Sequence, residues 1–417
     1  MSDVAPPMIH AAELAVRYSG SSTWHPLNET TYKRLNDVST LSSEDKEKLA
    51  SNCAMLSNLL QNSLQLPNVA LFAGSGTSLG DPKGPSMWDL WSTCMLIDGQ
   101  FDKTKTNLEQ MTPDAISVCR RVKYKELENP NIEHFLSYCD AYLMVRYNDV
   151  VDYFVTQVKE TVLKLCSDFL SQEDSDIDAY TTLLLKLAKR RVRDSRLKVF
   201  TTNYDMCFET AASDLGMMII DGFSYTRKRK FDGQFFNYDV VRRDGDTQTF
   251  IAGVIQLYKL HGSVSWVRDD TSIFESSSID PRNACLIYPA KGKYQQAFIQ
   301  PHLELLSRFL EYLRQPNNCL IISGFGFNDD HLSEPIFSAI KSNPSLKLII
   351  TDFNACMNIA PHKKYWDALS KAAEKGLDIT FINASFKDLA KLIPNLAALS
   401  PAEQLANSIR KAAKEVI

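Results

Sequence analysis

Short, nearly uninterrupted apolar runs recur along the chain and predict strands that are buried on both faces of a sheet. The runs cover residues 69–73, 197–201, 254–260, 319–323, 346–351 and 379–382. Helical segments separate several of them, and this alternation is typical of a parallel sheet covered by helices. The pattern therefore predicts an α/β fold.

A different period appears between the first two runs. From Val151 to Phe169, and upstream from Ile132 to Leu143, the apolar positions recur every three or four residues. This spacing predicts amphipathic helices. We therefore expect a helical insertion at about 101–193 that interrupts the sheet and either caps a crevice or forms an oligomer interface.

The two ends of the chain differ from this central part. A helix is predicted at 43–64, with Ser42 or Ser43 as its N-cap, and the Tyr18 to Ser22 segment before it is expected to be flexible or ordered by a partner. Pro401 is expected to open a final helix. The predicted domains are an N-terminal helical extension (1–65), an α/β domain with the helical insertion (66–395) and a C-terminal helix (396–417).

Composition narrows the classes of partner. The 417 residues carry a formal net charge of -4, so we expect no direct binding of nucleic acid. No apolar stretch is long enough to cross a bilayer and the first residues do not form a secretory signal, so we expect no membrane partner and a cytoplasmic protein. The nine cysteines contain no Cys-x-x-Cys pair, which predicts core cysteines and no metal site.

Two polar motifs follow predicted strands. Thr202-Asn203-Tyr204-Asp205 follows the second run, and Leu260-His261-Gly262-Ser263 closes the third. Open α/β sheets bind ligands where their strands end, so Asn203, Asp205 and His261 are candidates for one crevice. Structural alternatives remain open: Asn203 and Asp205 as caps of the following helix, and His261 as the partner of a buried carbonyl.

A glycine-rich turn, Gly74-Ser75-Gly76-Thr77-Ser78-Leu79-Gly80, follows the first run directly. Such turns let the backbone approach a pyrophosphate. The turn departs from the dinucleotide-binding fingerprint, because Leu79 occupies the place of the third glycine. No Gly-Lys-Ser/Thr follows the turn, so an ATPase phosphate loop is excluded. A tight strand-to-helix turn is the alternative interpretation.

These motifs, together with Ser323-Gly324-Phe325-Gly326-Phe327-Asn328-Asp329-Asp330-His331, occur in the order found in sirtuins. More closely, the chain resembles the sirtuin-like NAD-consuming proteins of bacterial antiphage defence, over residues 66–392. The resemblance implies a Rossmann-like sheet, NAD as the substrate and His261 as the catalytic histidine, with Asn203 and Asp205 near the nicotinamide ribose. The residues that it implies for NAD binding are Gly74, Ser75, Gly76, Thr77, Ser78, Ser323, Gly324, Asp352 and Asn354.

One departure from the family bears on activity, because sirtuin deacylases carry a module of paired Cys-x-x-Cys zinc ligands that this chain lacks. Cleavage of NAD by water to nicotinamide and ADP-ribose is the leading hypothesis. Asn203 would hold water or a ribose hydroxyl, His261 would accept a proton and Asp205 would offset positive charge on the ribose. The alternatives are a subunit that senses NAD or ADP-ribose without cleaving it, and a protein deacylase. The resemblance also implies a homo-oligomer and a hexameric HerA-type ATPase partner.

Overall fold

The computed structural model describes residues 10–102, 105–128, 130–191, 193–269, 272–286, 300–358 and 363–395. The strands are β1 (Ala15–Arg17), β2 (His25–Pro26), β3 (Asn68–Ala73), β4 (Leu197–Thr201), β5 (Met218–Ile220), β6 (Val241–Asp244), β7 (Thr247–Phe250), β8 (Val254–Lys259), β9 (Gly262–Asp269), β10 (Ser272–Glu275), β11 (Ala284–Leu286), β12 (Asn318–Ser323), β13 (Leu346–Asp352) and β14 (Ile379–Asn383). The helices are α1 (Glu29–Leu35), α2 (Ser43–Leu64), α3 (Met87–Met95), α4 (Asn107–Gln110), α5 (Pro113–Val122), α6 (Ile132–Val145), α7 (Asp149–Asp168), α8 (Asp178–Leu187), α9 (Cys207–Asp214), α10 (His302–Arg314), α11 (Asp330–Ser342), α12 (Ala355–Asn358), α13 (Lys364–Glu374) and α14 (Phe386–Leu392). The predicted C-terminal helix lies outside the described residues.

A nine-stranded sheet organises the fold, in the order β2-β1-β14-β13-β12-β3-β4-β8-β5. The strands from β14 to β5 are parallel, and β1 and β2 add an antiparallel edge. All six predicted runs form strands of this sheet. Separate apolar clusters of helix and strand residues cover its two faces, so the predicted α/β fold class, a parallel sheet flanked by helices, is confirmed.

The register of the sheet aligns the carboxyl ends of the central strands. Ala73 at the end of β3 pairs with Thr201 on one side and Ser323 on the other, and Thr201 pairs in turn with Lys259. The segments that follow β3, β4, β8 and β12 therefore leave the sheet at one edge. This alignment brings together motifs that are separated by up to about 250 residues of sequence.

The N-terminal segment differs from its prediction. The helix α2 has the predicted bounds, and Ser42 forms a capping box with Asp45. The Tyr18 to Ser22 segment was expected to be flexible or ordered by a partner, but Ser19 Oγ and the Gly20 N–H donate to the carbonyl oxygens of Leu377 and Ala373, both at 2.8 Å. Directly before it, β1 pairs with β14. The described part of the predicted helical extension therefore adds two strands to the main sheet. The sequence pattern did not predict these strands, because strands of three and two residues are too short to show an alternating period. The domain boundaries themselves stay a prediction.

The insertion between β3 and β4 is helical, as the periodicity indicates. Its core joins residues of α5, α6 and α7 to Leu90, Trp91 and Met95 of α3, so the helical unit begins before residue 101. The last helix, α8, instead packs into the apolar cluster on one face of the sheet. Among the described residues, no helix has the length and apolar character that crossing a membrane requires.

Candidate active site

A cavity of about 220 Å³ opens at the carboxyl edge of the sheet. We call the residues that follow β3, β4, β8 and β12 the sheet side of the cavity, and the residues of the helical unit the helical side. The sheet side contributes Ser75, Ser78, Thr202, Asn203, Tyr204, Asp205, His261, Phe325, Gly326, Asn328 and Asp329. The helical side contributes Met87, Leu90, Asn131, Glu133, Cys166 and Phe169. The segments that follow four separate strands thus meet in one space.

The glycine turn forms the base of the sheet side and is locked against the residues that follow β12. The N–H groups of Gly74 and Gly76 donate to the carbonyl oxygens of Ser323 and Gly324, both at 2.9 Å. A Cβ atom on Gly74 would lie 2.5 Å from the Gly324 oxygen, and one on Gly76 would lie 2.7 Å from the Gly324 Cα. Close backbone approach therefore explains these glycines without a ligand, which is the alternative that the sequence left open.

The N–H groups of the turn are largely engaged within the protein. Those of Thr77 and Ser78 donate to the carbonyl oxygens of Gly74 and Ser75, both at 3.0 Å. With the two glycine N–H groups also occupied, a phosphate would have to contact other donors in the turn. Ser75 and Ser78 line the cavity, so these are the residues of the turn that a ligand in the cavity could contact.

Asn203 is held in a buried network of hydroxyl groups. Its Nδ2 donates to Ser78 Oγ at 2.8 Å and to Thr77 Oγ1 at 3.2 Å. The hydroxyl of Tyr180 in α8 donates to Thr77 Oγ1 at 3.0 Å. The opposite atom of the amide, Asn203 Oδ1, is buried and has no hydrogen-bond partner among the described residues. Because an unsatisfied buried acceptor is costly, this oxygen is suited to a ligand hydroxyl or water.

Both carboxylate oxygens of Asp205 have protein partners. Oδ2 accepts a hydrogen bond from Ser78 Oγ at 2.6 Å, and Oδ1 accepts one from the Cys207 N–H at 3.1 Å in the first turn of α9. The second bond engages the first N–H group of α9, but the N-cap position is Met206 and its side chain forms no capping hydrogen bond, so Asp205 contacts the helix start without being its cap. Asp205 lines the cavity and also orients Ser78, which in turn holds Asn203.

His261 is buried and lies against a second histidine. Its Nε2 is 3.2 Å from Nε2 of His331 in α11, and the two rings stack with centroids 5.3 Å apart. Burial lowers the pKa of His261 well below its ordinary value, and His331 and His302 lower it further. The imidazole of His261 is therefore neutral at pH 7 and can accept a proton.

Two titratable residues of the cavity were not among the predicted catalytic residues. Glu133, in the first turn of α6, accepts a hydrogen bond from the Tyr204 hydroxyl at 2.8 Å. Burial and the neighbouring Asp329 raise the pKa of Glu133 to about 8, against the lowering effect of Tyr204. Burial and Asp330 raise the pKa of Asp329 to about 6.

The sequence carried no signal for Glu133, because a glutamate in a first helical turn is an ordinary stabilising feature. Asp329 occupies the N-cap position of α11, yet its side chain forms no capping hydrogen bond. Only the packing of the helical unit over the sheet edge reveals both carboxyl groups as cavity residues.

The remaining predicted residues lie along the same edge but outside this lining. Ser323 and Gly324 end β12 and pack against the glycine turn. Asp352 and Asn354 follow β13, and Asp352 Oδ1 accepts hydrogen bonds from the Asn354 N–H at 2.8 Å and from Asn358 Nδ2 at 3.0 Å. Neither Asp352 nor Asn354 is among the described residues that line the cavity, so an adenosine-binding role for them stays a prediction.

Comparison of the chain with solved structures finds sirtuins, at low similarity. A Sir2–p53 peptide–NAD+ structure is 12% identical with a TM-score of 0.39, and covers 80% of this chain and 94% of that one. A Sir2 homologue–NAD complex is 13% identical with a TM-score of 0.33, and covers 77% and 94%. No curated protein matches the chain significantly.

Within the described ranges, no group of three or more His, Cys, Asp or Glu side chains is arranged to hold a metal ion.

A family model gives a match confined to part of the chain. The matched segment begins with β4 and ends within α13, and it therefore includes Asn203, Asp205 and His261 but excludes the glycine turn and the helical unit. Residues 197–372 match the model of the SIR2-like domain.

Proposed function

We propose that the chain hydrolyses NAD to nicotinamide and ADP-ribose. The observation behind this proposal is a single cavity in which Asn203 and His261, both within the SIR2-like segment, lie beside the glycine turn. The cavity is smaller than the roughly 300 to 1,000 Å³ of pockets that enclose a whole ligand, so it suits one part of a dinucleotide. We assign the nicotinamide ribose to it.

The chemistry requires little acid catalysis. When the N-glycosidic bond of NAD breaks, nicotinamide leaves as a neutral molecule and positive charge develops on the ribose. The free Oδ1 of Asn203 can accept a hydrogen bond from a ribose hydroxyl or from the attacking water. The neutral imidazole of His261 can take a proton from that water, and the Asp205 carboxylate adds negative potential to the same cavity.

Release of nicotinamide by the purified chain tests the proposal. His261→Ala and Asn203→Ala are each expected to lower turnover by at least about 100-fold, the usual loss for a general base or a positioning group. His25→Ala, at the far edge of the sheet, serves as the control and should retain wild-type turnover. If both cavity variants released nicotinamide at the wild-type rate, this site would be ruled out as the place of hydrolysis.

A second candidate function is binding of NAD or ADP-ribose without cleavage. The contacts of Asn203 Nδ2 and of both Asp205 oxygens favour it, because these atoms are already occupied by protein groups. Calorimetric binding of NAD with no release of nicotinamide would establish the sensing role. Adding an acetylated peptide to the same assay tests deacylation, in which NAD consumption depends on the peptide.

We further propose that this activity depletes NAD in antiviral defence, in the cytoplasm, within a homo-oligomer and an assembly with a HerA-type ATPase. The support in this chain is an exposed apolar patch where α6 meets α7, including Met144, Val145, Tyr147 and Tyr153. Exposed patches of this kind are typical of interaction surfaces. A protein that stays monomeric in light scattering, both alone and with such an ATPase, would contradict the assembly.

A further inference from the structure

His331 lies between the candidate active site and a second, separate depression. This groove of about 400 Å³ runs between α10 and α11, and its lining includes His331, Arg314, Asp330 and Glu334. The last three side chains are exposed, so the groove is open to solvent. On its other side His331 contacts His261, which lines the cavity. The two imidazoles therefore connect the buried cavity to solvent by a route that does not pass through the cavity mouth.

The stoichiometry of the proposed reaction creates a need for such a route. Hydrolysis of NAD breaks the bond between the ribose C1′ and the nicotinamide nitrogen, and the electron pair stays on nicotinamide. A bond forms between C1′ and the oxygen of water, which must lose one proton. Each turnover therefore releases one proton inside a buried site, where the proposed function assigns its uptake to His261.

Neither imidazole can store this proton. Burial and the neighbouring imidazoles lower the pKa of His261 well below its ordinary value. Burial lowers the pKa of His331 to about 4, against the opposing effect of Asp330. A proton on His261 is therefore unfavourable at neutral pH, and the contact of 3.2 Å leads from it to His331.

We propose that His331 is a positioning residue that carries the proton released by NAD hydrolysis from His261 to the solvent in the groove. This inference rests on the proposed function. At the start, His261 bears its proton on Nε2 and His331 bears its proton on Nδ1. Water gives a proton to His261 Nδ1, His261 passes its Nε2 proton to His331 Nε2, and His331 releases its Nδ1 proton to the groove. Both rings end neutral as the other tautomer, and one proton has left.

The charged groups around the pair are compatible with this direction of transfer. Asp330 and Glu334 on the same helix face the groove and attract a departing proton. Arg314 of α10 faces the groove as well, and His302 of α10 acts on His261. From α13, the Tyr365 hydroxyl donates to Asp330 at 2.9 Å, and Lys364 lies 3.9 Å from the same carboxylate. The acidic side of the groove thus keeps a partly exposed carboxylate next to His331.

Kinetics with an added base test the relay. His331→Ala should lower kcat for nicotinamide release by about 100-fold with little change in KM, in line with the loss of a proton-transfer group. Imidazole in the buffer should restore part of kcat, because it can enter the enlarged groove and accept the proton from His261. The matched control, His25→Ala, should show neither the loss nor the rescue. Wild-type kcat in His331→Ala, or a loss that imidazole does not rescue at any pH, overturns the relay.

A measurement without turnover separates this inference from the proposed function. In nitrogen-15 NMR of the wild-type protein, the His261 and His331 ring nitrogens should titrate as one coupled pair, and His331→Gln should shift the His261 resonances. His25→Gln should leave them unchanged. If nicotinamide is never released by the wild-type protein, the proposed hydrolysis fails whatever the spectra show. If His261 does not respond to His331→Gln, the relay fails even when hydrolysis is established.

Discussion

The two sides of the cavity are built in different ways. On the sheet side, hydrogen bonds of 2.8 Å and 2.6 Å join Ser78 to Asn203 and to Asp205, and the register of parallel strands fixes the strand ends that these residues follow. On the helical side, Glu133 is a carboxyl group that packing has placed in the cavity, with a pKa raised to about 8. The hydrogen-bonded network of Asn203, Ser78 and Asp205 fixes positions, whereas Glu133 on the opposite side is an ionisable group whose pKa lies near neutral pH.

The positions of the sheet-side residues are determined by the backbone register of the sheet. The position of Glu133 is determined by how the helical unit packs on the sheet. Sheet-side residues keep their relative positions because a strand shift of one residue would reverse every side chain of a buried strand. Glu133 depends instead on how the helical unit covers the sheet edge. Changes to the glycine turn and to the hydrogen-bonded network beside it should therefore affect stability at every pH, and a change at Glu133 should affect it over a limited pH range.

The strongest test of the sheet side is Gly74→Ala. The added Cβ would lie 2.5 Å from the Gly324 carbonyl oxygen and 2.7 Å from the Phe325 Cα, and both are backbone atoms that cannot rotate away. We expect the free energy of unfolding to fall by about 3 kcal/mol, the upper end of the usual cost of overpacking. Urea denaturation measures it, and the loss should be the same at pH 5 and pH 8.

Gly80→Ala is the matched control for that variant. Gly80 ends the same loop, and a Cβ atom there meets no atom within 4 Å. Its stability should stay within about 1 kcal/mol of the wild-type value, with a small gain from the reduced entropy of the unfolded chain. Equal stability of the two alanine variants would contradict the close backbone contact at Gly74.

The matching test of the helical side is Glu133→Gln, and its effect should depend on pH. Folding raises the pKa of Glu133 from 4.5 to about 8, so the native protein keeps a proton that the unfolded chain loses between these values. Wild-type stability therefore falls as pH rises through this window, whereas glutamine is neutral throughout. From pH 5 to pH 8 the variant should gain about 2 kcal/mol relative to wild type, allowing for water in the cavity.

The control for this pH dependence is Glu128→Gln, at an exposed side chain a few residues before α6. Its stability should follow the wild-type curve from pH 5 to pH 8. Denaturation midpoints at four pH values suffice for all three proteins. A Glu133→Gln curve parallel to the wild-type curve would mean that Glu133 is ionised in the native state, and the distinction between the two sides would be lost.

The same distinction explains how much of the molecule the sequence predicts. Buried parallel strands leave continuous apolar runs, so the order of the central elements and the polar groups at their ends could be recognised, including Asn203 and His261. Contacts between units leave no such pattern. Glu133, His331 and the pairing of β1 with β14 depend on long-range packing, and each resembles an ordinary surface or capping feature when only neighbouring residues are considered.

The smallest expected effect comes from Tyr204→Phe, which removes a hydrogen bond that joins the two sides of the cavity. The Tyr204 hydroxyl donates to Glu133 at 2.8 Å and lowers the pKa of that carboxyl group. Its loss should cost about 1 kcal/mol, the usual value for a single hydrogen bond, and the cost should rise above pH 8, where Glu133 is ionised. Tyr153→Phe, at a side chain that is 66% exposed, should have no effect. A double-mutant cycle with Glu133→Gln then isolates the contact. If the two residues act independently, the changes in the free energy of unfolding of the single variants add up in the double variant. If they are coupled, the double variant is less destabilised than this sum.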